Sequence, residues 1–213
     1  MKSNRDFIEY IKSKFSFGTL PGSNRIIDAM GKVDRRNFLP LGARHLAYYD
    51  EPVSIGYSQT CSQPSLVAFM LAELSIRSGD IILEIGSGCG YVAAIASLLC
   101  GKEGKVYACE IIPELVGTMR SNVGDRFPNV EIIEGDGSAG FPKLAPFDRI
   151  LLSAGVDSSN FDREILLSQL ASPGILIYPE ARGRLYKLIK NGKNIEERTY
   201  GYVSFVPLRG RNS

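Results

Sequence analysis

A glycine-rich turn between a predicted strand and a predicted helix carries the strongest chemical signal in the sequence. It reads Leu83-Glu84-Ile85-Gly86-Ser87-Gly88-Cys89-Gly90. Glycine lets the backbone turn sharply and lets a ligand approach the main chain without meeting a Cβ atom. Free N–H groups at the start of the following helix favour an anionic group. The turn therefore predicts a nucleotide-like cofactor, although a tight turn without a ligand is the simpler alternative.

The spacing of the glycines and two later acids narrow the class of cofactor. NAD and FAD folds hold pyrophosphate on a turn with the pattern G-x-G-x-x-G, whereas this chain has G-x-G-x-G. Glu110 ends the next predicted strand, 20 residues after Gly90, where a carboxylate can accept hydrogen bonds from both hydroxyls of a ribose. Asp136, followed by Gly137, comes directly after the third strand and could accept a hydrogen bond from the exocyclic amine of adenine.

Each of these acids alone is more typical of a solvated loop than of a ligand site. Together with the glycine turn, however, they fall at successive strand ends of one predicted sheet, where ligand sites commonly form. Their order resembles that of class I S-adenosylmethionine-dependent methyltransferases. The pattern indicates the cofactor and leaves the acceptor open.

Metal chemistry is not expected. The four cysteines, Cys61, Cys89, Cys100 and Cys109, form no C-x-x-C pair, and His45 is the single histidine. The 25 basic and 23 acidic residues give a net charge of +2, which does not require nucleic acid or an anionic membrane as a partner.

Alternating strand and helix patterns position the predicted cofactor residues. They predict strands at 81–85, 105–109, 130–133, 147–153 and 174–178, and helices at 91–100, 113–127 and 163–170. Repeated β-α units specify an α/β, doubly wound, mostly parallel sheet with helices on both faces. Ligands of such a Rossmann-like sheet bind at the carboxyl ends of its strands.

The flanking segments have different patterns. An N-terminal helical extension is predicted from helices at 4–15 and 23–33, which Gly18, Pro21 and Gly22 separate. A loop-rich stretch from Arg35 to Pro64 precedes a helix at 65–77, and loops this long tend to be functional. Strands at 185–190 and 202–206, around the turn Asn191-Gly192, predict antiparallel C-terminal edge strands. We expect a single domain, 1–213, divided into 1–63, 64–180 and 181–213.

The segment Tyr49–Met70 resembles the signature of the protein-L-isoaspartate O-methyltransferase family, D-x-P-x-x-I-G-x-G-Q-T-I-S-x-P. The resemblance covers almost the whole chain. It includes Phe38-Leu39-Pro40, Gly90-Tyr91, Asp136-Gly137-Ser138, Ala145-Pro146-Phe147-Asp148, Gln169-Leu170 and Phe205-Val206-Pro207-Leu208.

The resemblance implies methyl transfer from S-adenosylmethionine, with S-adenosyl-L-homocysteine as product, to the α-carboxyl group of L-isoaspartyl residues in damaged proteins and peptides. It makes Ser62 the active-site serine, and Ile55, Gln59, Thr60, Ser62 and Val206 the substrate-binding residues. The cofactor-binding residues would be Thr60, Cys61, Ser62, Glu84, Gly86, Ser87, Gly88, Gly90, Glu110, Asp136 and Gly137. An α-carboxyl group, whose ordinary pKa is about 3.5, is already ionised near neutral pH, so no general base is required.

Two departures from the signature lie inside the loop. Ser58 stands where the family commonly has glycine, and Cys61 stands where isoleucine is usual. They motivate one alternative, a methyltransferase with another acceptor, namely a small molecule, RNA or a protein amine. A second alternative is a relative that binds the cofactor, or a protein partner, without catalysis, and its opposing evidence is the retention of Ser62, Gly86, Gly88, Glu110 and Asp136. A further alternative is that Thr60 and Ser62 only cap the helix after Pro64.

The remaining expectations concern location and partners. The apolar residues of 7–11 are interrupted by Glu9, and neither a signal-peptide core nor a membrane-spanning run develops. We therefore expect a cytoplasmic protein that acts as a monomer on isoaspartyl-containing proteins and peptides, without a nucleic acid or membrane partner.

Overall fold

The computed structural model describes residues 3–14 and 22–211. Its α-helices are α1 (Asn4–Lys14), α2 (Ser23–Lys32), α3 (Pro64–Leu74), α4 (Tyr91–Cys100), α5 (Pro113–Val123) and α6 (Arg163–Gln169). Its strands are β1 (Val53–Gly56), β2 (Gln59–Cys61), β3 (Ile81–Ile85), β4 (Lys105–Glu110), β5 (Val130–Glu134), β6 (Phe147–Leu152), β7 (Leu170–Pro179), β8 (Arg182–Asn191) and β9 (Asn194–Ser204). Short 3-10 helices span Arg35–Phe38, Leu41–Leu46 and Gly124–Arg126.

Seven strands form the central sheet, in the order β5-β4-β3-β6-β7-β8-β9. The pairs from β5 to β7 are parallel, and β7-β8 and β8-β9 are antiparallel. The predicted mostly parallel sheet with antiparallel C-terminal edge strands is therefore confirmed. Because the strand order reverses between β3 and β6, the carboxyl ends of these strands lie at the topological switch point, where α/β sheets bind ligands.

Both faces of the sheet are buried, which explains the nearly continuous apolar runs of the central strands. Side chains alternate across a strand, so Ile82 of β3 packs in the cluster that contains residues of α1 to α5. Leu83 and Ile85 of the same strand pack in a second cluster with Leu166 and Leu167 of α6. The helices thus cover the sheet from both sides and fix the ends of its strands.

Several predicted boundaries were wrong for identifiable reasons. The last predicted strand, 202–206, overlaps the end of the much longer β9, whose residues 194–199 are all exposed and, apart from Ile195, polar, and therefore carry no apolar alternation. Strand β7 begins directly at Leu170, because Leu170 already pairs with Phe147 of β6. Helix α3 ends at Leu74, before a left-handed Ser75 (φ 52°). The turn at Asn191-Gly192 is confirmed, since residues 191 and 194 pair across it.

The loop-rich stretch from Arg35 to Pro64 is more ordered than the sequence predicted. It contains two of the 3-10 helices and the antiparallel hairpin β1-β2. Strands of four and three residues are too short to give a recognisable alternation. Helices α1 and α2 confirm the N-terminal helical extension, while the predicted breakers Gly18 and Pro21 lie outside the described residues.

No helix among the described residues has both the length and the apolar character needed to cross a bilayer.

Candidate active site

The glycine turn joins β3 to α4 with three glycines in the left-handed region. The φ angles of Gly86, Gly88 and Gly90 are 80°, 54° and 84°, which residues with a Cβ atom rarely adopt. A Cβ atom at Gly90 would also lie 2.8 Å from Met119 and 2.9 Å from Val123 of α5. The turn therefore requires glycine both for its backbone angles and for the close approach of α5.

The backbone amides of this turn are bonded within the protein. Those of Gly86 and Ser87 both donate to the carbonyl of Cys109, each at 2.9 Å, and that of Gly88 donates to Glu110 Oε2, also at 2.9 Å. These three amides, which precede the start of α4 at Tyr91, are therefore not free to bind an anion; the predicted free N–H groups are those at the helix start. A pyrophosphate seat of the dinucleotide type is not formed by the three bonded amides.

Glu110 connects the glycine turn to the next βα connection. Its side chain is buried at the end of β4, and its Oε1 accepts hydrogen bonds from the amides of Ile111 (2.8 Å) and Ile112 (2.9 Å). With Gly88 bonded to Oε2, the carboxylate has accepted three hydrogen bonds. A carboxylate has about four acceptor positions, so the group can still receive a ligand hydroxyl.

A narrow cleft opens at the carboxyl ends of β3, β4 and β6. The structure brings several predicted residues together on its wall: Gln59, Thr60, Gly86, Gly88, Glu110, Gly137 and Val206. The cleft also takes lining from residues that the sequence did not single out, among them Ile111, Ile112, Ser153, Leu208 and Arg209. The apolar pair after the acid of β4 could have been predicted as a cofactor contact, whereas Arg209 carries no local signal.

Other predicted cofactor residues do not line this cleft: Cys61, Ser62, Glu84, Ser87, Gly90 and Asp136. The carboxylate of Asp136 instead accepts hydrogen bonds from the amides of Ser138 and Arg211, each at 2.9 Å. Burial alone would raise the pKa of Asp136, but these contacts hold it below its ordinary value. In this arrangement Asp136 anchors the C-terminal segment beside the cleft, and a contact with adenine stays a prediction.

Glu84 is a buried acid directly behind the cleft. Its Oε1 accepts a hydrogen bond of 2.7 Å from the hydroxyl of Ser153, which lines the cleft. Its Oε2 has no hydrogen-bond partner among the described residues. Burial raises the pKa of Glu84 to about 7, against the opposing effect of the hydrogen bond from Ser153 and of the nearby Ser87 hydroxyl. The site thus holds an acid that ionises near neutral pH, where it would favour a positively charged ligand.

A second cleft, with an empty volume of about 960 Å³, adjoins the first. It lies between the segment that leads into α3 and the end of β9, and Thr60 lines both clefts. Ser62 lines the second cleft together with apolar side chains such as Leu66, Phe69 and Phe205. Thr60 is the residue that lines both clefts, so the two clefts lie on either side of it.

Ser62 has a free hydroxyl, because no hydrogen bond between described residues involves its Oγ atom. The alternative that Thr60 and Ser62 cap α3 is wrong. The N-cap position of α3 is Gln63, whose side chain makes no cap contact, and the amide of Ser65 is instead bonded by Asp50 Oδ1 at 2.9 Å. The Ser62 hydroxyl is therefore available to a ligand.

The remaining loop residues support the hairpin β1-β2. Tyr57 and Ser58 form its turn with φ angles of 55° and 58°. The left-handed backbone at position 58 explains why glycine suits it better than the serine of this chain, since a left-handed residue with a Cβ atom costs roughly 1–2 kcal/mol. Ile55 packs on the glycine turn, 3.1 Å from where a Cβ atom of Gly88 would lie. Cys61 is buried beside Cys89, whose thiol lowers the pKa of Cys61 through a hydrogen bond.

No group of three or more His, Cys, Asp or Glu side chains in the described part of the chain is arranged to hold a metal ion. His45 lies on an exposed 3-10 helix.

Comparison with known proteins agrees with this geometry. A sequence model of the family protein-L-isoaspartate(D-aspartate) O-methyltransferase matches residues 3–213. Protein-L-isoaspartate O-methyltransferase 2 of Archaeoglobus fulgidus is 39% identical over 192 residues, which cover 88% of this chain and 86% of the relative. The Ignicoccus hospitalis protein-L-isoaspartate O-methyltransferase is 42% identical over 188 residues, 86% of this chain and 88% of its own length.

Solved structures show the same fold. A protein-L-isoaspartate O-methyltransferase chain superposes with a TM-score of 0.84 at 26% identity, covering 99% of this chain and 67% of its own. A Plasmodium falciparum chain assigned to the same enzyme class, crystallised with S-adenosyl-L-homocysteine, has a TM-score of 0.84 at 25% identity and full coverage of both chains.

The raised pKa of Glu84 generates a prediction about stability. Unfolding lets this carboxyl ionise at its ordinary pKa of 4.5, whereas the folded protein holds the proton until about pH 7. Its contribution to stability is fully present below the unfolded pKa and is lost as the pH rises through the folded pKa. The original chain should therefore lose stability relative to Glu84→Gln as the pH rises. We expect the difference in free energy of unfolding, variant minus original chain, to increase by about 3 kcal/mol between about pH 4.5 and 8.

Urea denaturation at several pH values measures this difference. Glu134→Gln is the matched control, because Glu134 is exposed at the end of the neighbouring strand β5. For Glu134→Gln, the difference in free energy of unfolding from the original chain should not change with pH. The same constant difference for Glu84→Gln would contradict the raised pKa of Glu84.

Proposed function

We propose a function from one premise: the chain belongs to the protein-L-isoaspartate(D-aspartate) O-methyltransferase family, whose sequence pattern matches residues 3–213. The enzyme transfers a methyl group from S-adenosylmethionine to the α-carboxyl group of L-isoaspartyl residues in proteins and peptides, a step of protein repair. The match along residues 3–213 is the observation that carries the proposal. The proposal is supported by the two neighbouring clefts, which share Thr60 and the second of which Ser62 lines.

The residues of the first cleft fit the cofactor. Glu110 retains acceptor capacity for one ribose hydroxyl, while the amides of Gly86, Ser87 and Gly88 are already bonded and offer no phosphate seat. Both Glu84 and Glu110 favour a positive charge at this edge of the sheet. When bound, S-adenosylmethionine supplies a methyl group on a positively charged sulfur, and S-adenosyl-L-homocysteine remains as the product. We propose that Gly86, Gly88 and Gly137 let it approach the main chain.

The acceptor would bind in the second cleft. We propose that the Ser62 hydroxyl donates a hydrogen bond to one oxygen of the isoaspartyl carboxylate and so directs the other oxygen toward the first cleft. Gln59, Thr60 and Val206 line the first cleft, and Thr60 also lines the second; we propose that these three residues hold the substrate backbone. Because the carboxylate is already ionised, the protein has only to orient the groups and exclude water.

Partners and location complete the proposal. A net charge of +2 supports a protein or peptide acceptor rather than nucleic acid. The four cysteines are free and buried, as in proteins of a reducing compartment, which supports the cytoplasm. We propose that the enzyme acts as a monomer. We also propose that 1–213 is one domain, because Thr60 and Val206, which flank the segment 64–180, line the same cleft.

A matched pair of peptides tests the acceptor. With S-adenosylmethionine carrying a labelled methyl group, we expect base-labile methyl ester on the isoaspartyl peptide and none on the aspartyl peptide of the same sequence. The label is measured as methanol released by base. Equal labelling of both peptides, or a methyl product that is stable to base, would contradict the proposed acceptor.

Removal of the Ser62 hydroxyl tests its role. A hydrogen bond to a charged group contributes about 1.5–3 kcal/mol, so we expect Ser62→Ala to lower kcat/KM for the isoaspartyl peptide by about 10- to 100-fold. Ser121→Ala removes a hydroxyl that donates to the carbonyl of Gly117 on the exposed side of α5, and we expect it to retain full activity. A Ser62→Ala enzyme as active as this control would exclude the proposed role.

A further inference from the structure

Arg35 is a fully buried cation that lines neither cleft. Its exposed fraction is 0%, and no ion pair between described residues involves it. Its terminal nitrogens donate instead to five backbone carbonyls. Nη1 contacts Ala47 (3.3 Å) and Tyr49 (3.2 Å), and Nη2 contacts Glu51 (2.9 Å), Cys61 (3.0 Å) and Ser62 (3.1 Å).

The five carbonyls belong to the two segments that flank the hairpin β1-β2. Residues 47–51 lead into the hairpin, Cys61 is the last residue of β2, and Ser62 follows it. The planar guanidinium therefore joins the two ends of the loop that carries Gln59 and Thr60. A second contact joins the same ends, since Asp50 accepts hydrogen bonds from the amide of Ser65 and the side chain of Gln63.

The position of Ser62 depends directly on this cation. Its carbonyl accepts from Arg35 Nη2, while its hydroxyl makes no hydrogen bond to any described residue. Main-chain contacts, rather than the serine side chain, thus hold the residue at the wall of the second cleft. Burial of a guanidinium without a carboxylate costs several kcal/mol, and the five charge-assisted hydrogen bonds offset this cost only in the observed loop conformation.

We propose that Arg35 is a positioning residue for methyl transfer: it touches neither substrate nor cofactor, but fixes the loop 47–62 and through it the Ser62 hydroxyl. The inference rests on the proposed function of the same site. Lysine cannot replace arginine here, because its single ammonium has three donors on one atom and cannot span carbonyls on both segments.

Comparison of Arg35→Lys with Arg149→Lys tests the proposal. Arg149 is also buried and also donates to a backbone carbonyl, that of Ser75, but it lies on β6 and pairs with Asp80. Both variants keep the charge and lose a buried guanidinium. A loss of general stability therefore affects both, whereas a loss of loop position affects Arg35→Lys alone.

Amide hydrogen exchange of residues 47–63 measures how firmly the loop is held, and it requires no acceptor. It is measured with S-adenosyl-L-homocysteine present and below the melting temperature of both variants. We expect exchange in Arg35→Lys at least about tenfold faster than in the original chain, and unchanged exchange in Arg149→Lys. In the peptide assay, kcat of Arg35→Lys falls about 10- to 100-fold, with KM for S-adenosylmethionine within about twofold.

Equal exchange of residues 47–63 in the two variants would overturn the positioning role, and so would equal kcat. The activity of the original chain on the isoaspartyl peptide decides the proposed function by itself. The exchange comparison decides the role of Arg35 whichever acceptor the site takes, so the two failures are distinguishable.

Discussion

The buried carboxylate of Glu110 is the interaction on which the arrangement of the first cleft depends. It receives the amides of Gly88, Ile111 and Ile112, and so connects the turn after β3 with the turn after β4. Backbone amides that are buried without a partner are costly, so removal of this acceptor would release both turns together. Together with the hydrogen bonds from Gly86 and Ser87 to the carbonyl of Cys109, this side chain at the end of a parallel strand holds the two turns and the cleft between them in place.

Polar contacts, rather than the central sheet, hold the part of the site where we propose that the acceptor binds. The hairpin β1-β2 is not part of the central sheet, and polar contacts from Arg35 and Asp50 at its base fix its position. The proposed cofactor cleft lies at the end of the central sheet, whereas polar contacts hold the proposed acceptor loop, and Thr60 lines both clefts. Such a division suits a reaction that needs no general base, because alignment of donor and acceptor and exclusion of water supply most of the catalysis.

The sequence predicted the parts of the molecule that depend on local pattern. The buried strands β3, β4 and β6, the glycine turn and Glu110 were all predicted from apolar runs, glycine spacing and position at a strand end. Strand β9 was mostly missed, since its exposed residues carry no alternation. The contacts of Arg35 and Asp136 could not be predicted, because no local pattern encodes partners so far along the chain. Ala47 and Ser62 lie 12 and 27 residues from Arg35, and Arg211 lies 75 residues from Asp136.

The most direct test of this account is the affinity for S-adenosyl-L-homocysteine, measured by calorimetry, of Glu110→Ala against Glu134→Ala. The two acids end neighbouring strands and pair in register, but Glu134 is exposed, and among the described residues its carboxylate forms an ion pair with Arg120 at 3.6 Å. Loss of hydrogen bonds to a charged group predicts a dissociation constant about 100-fold higher for Glu110→Ala and an unchanged constant for Glu134→Ala. Equal, undiminished affinity in the two variants would contradict the central place of Glu110 in the cofactor site.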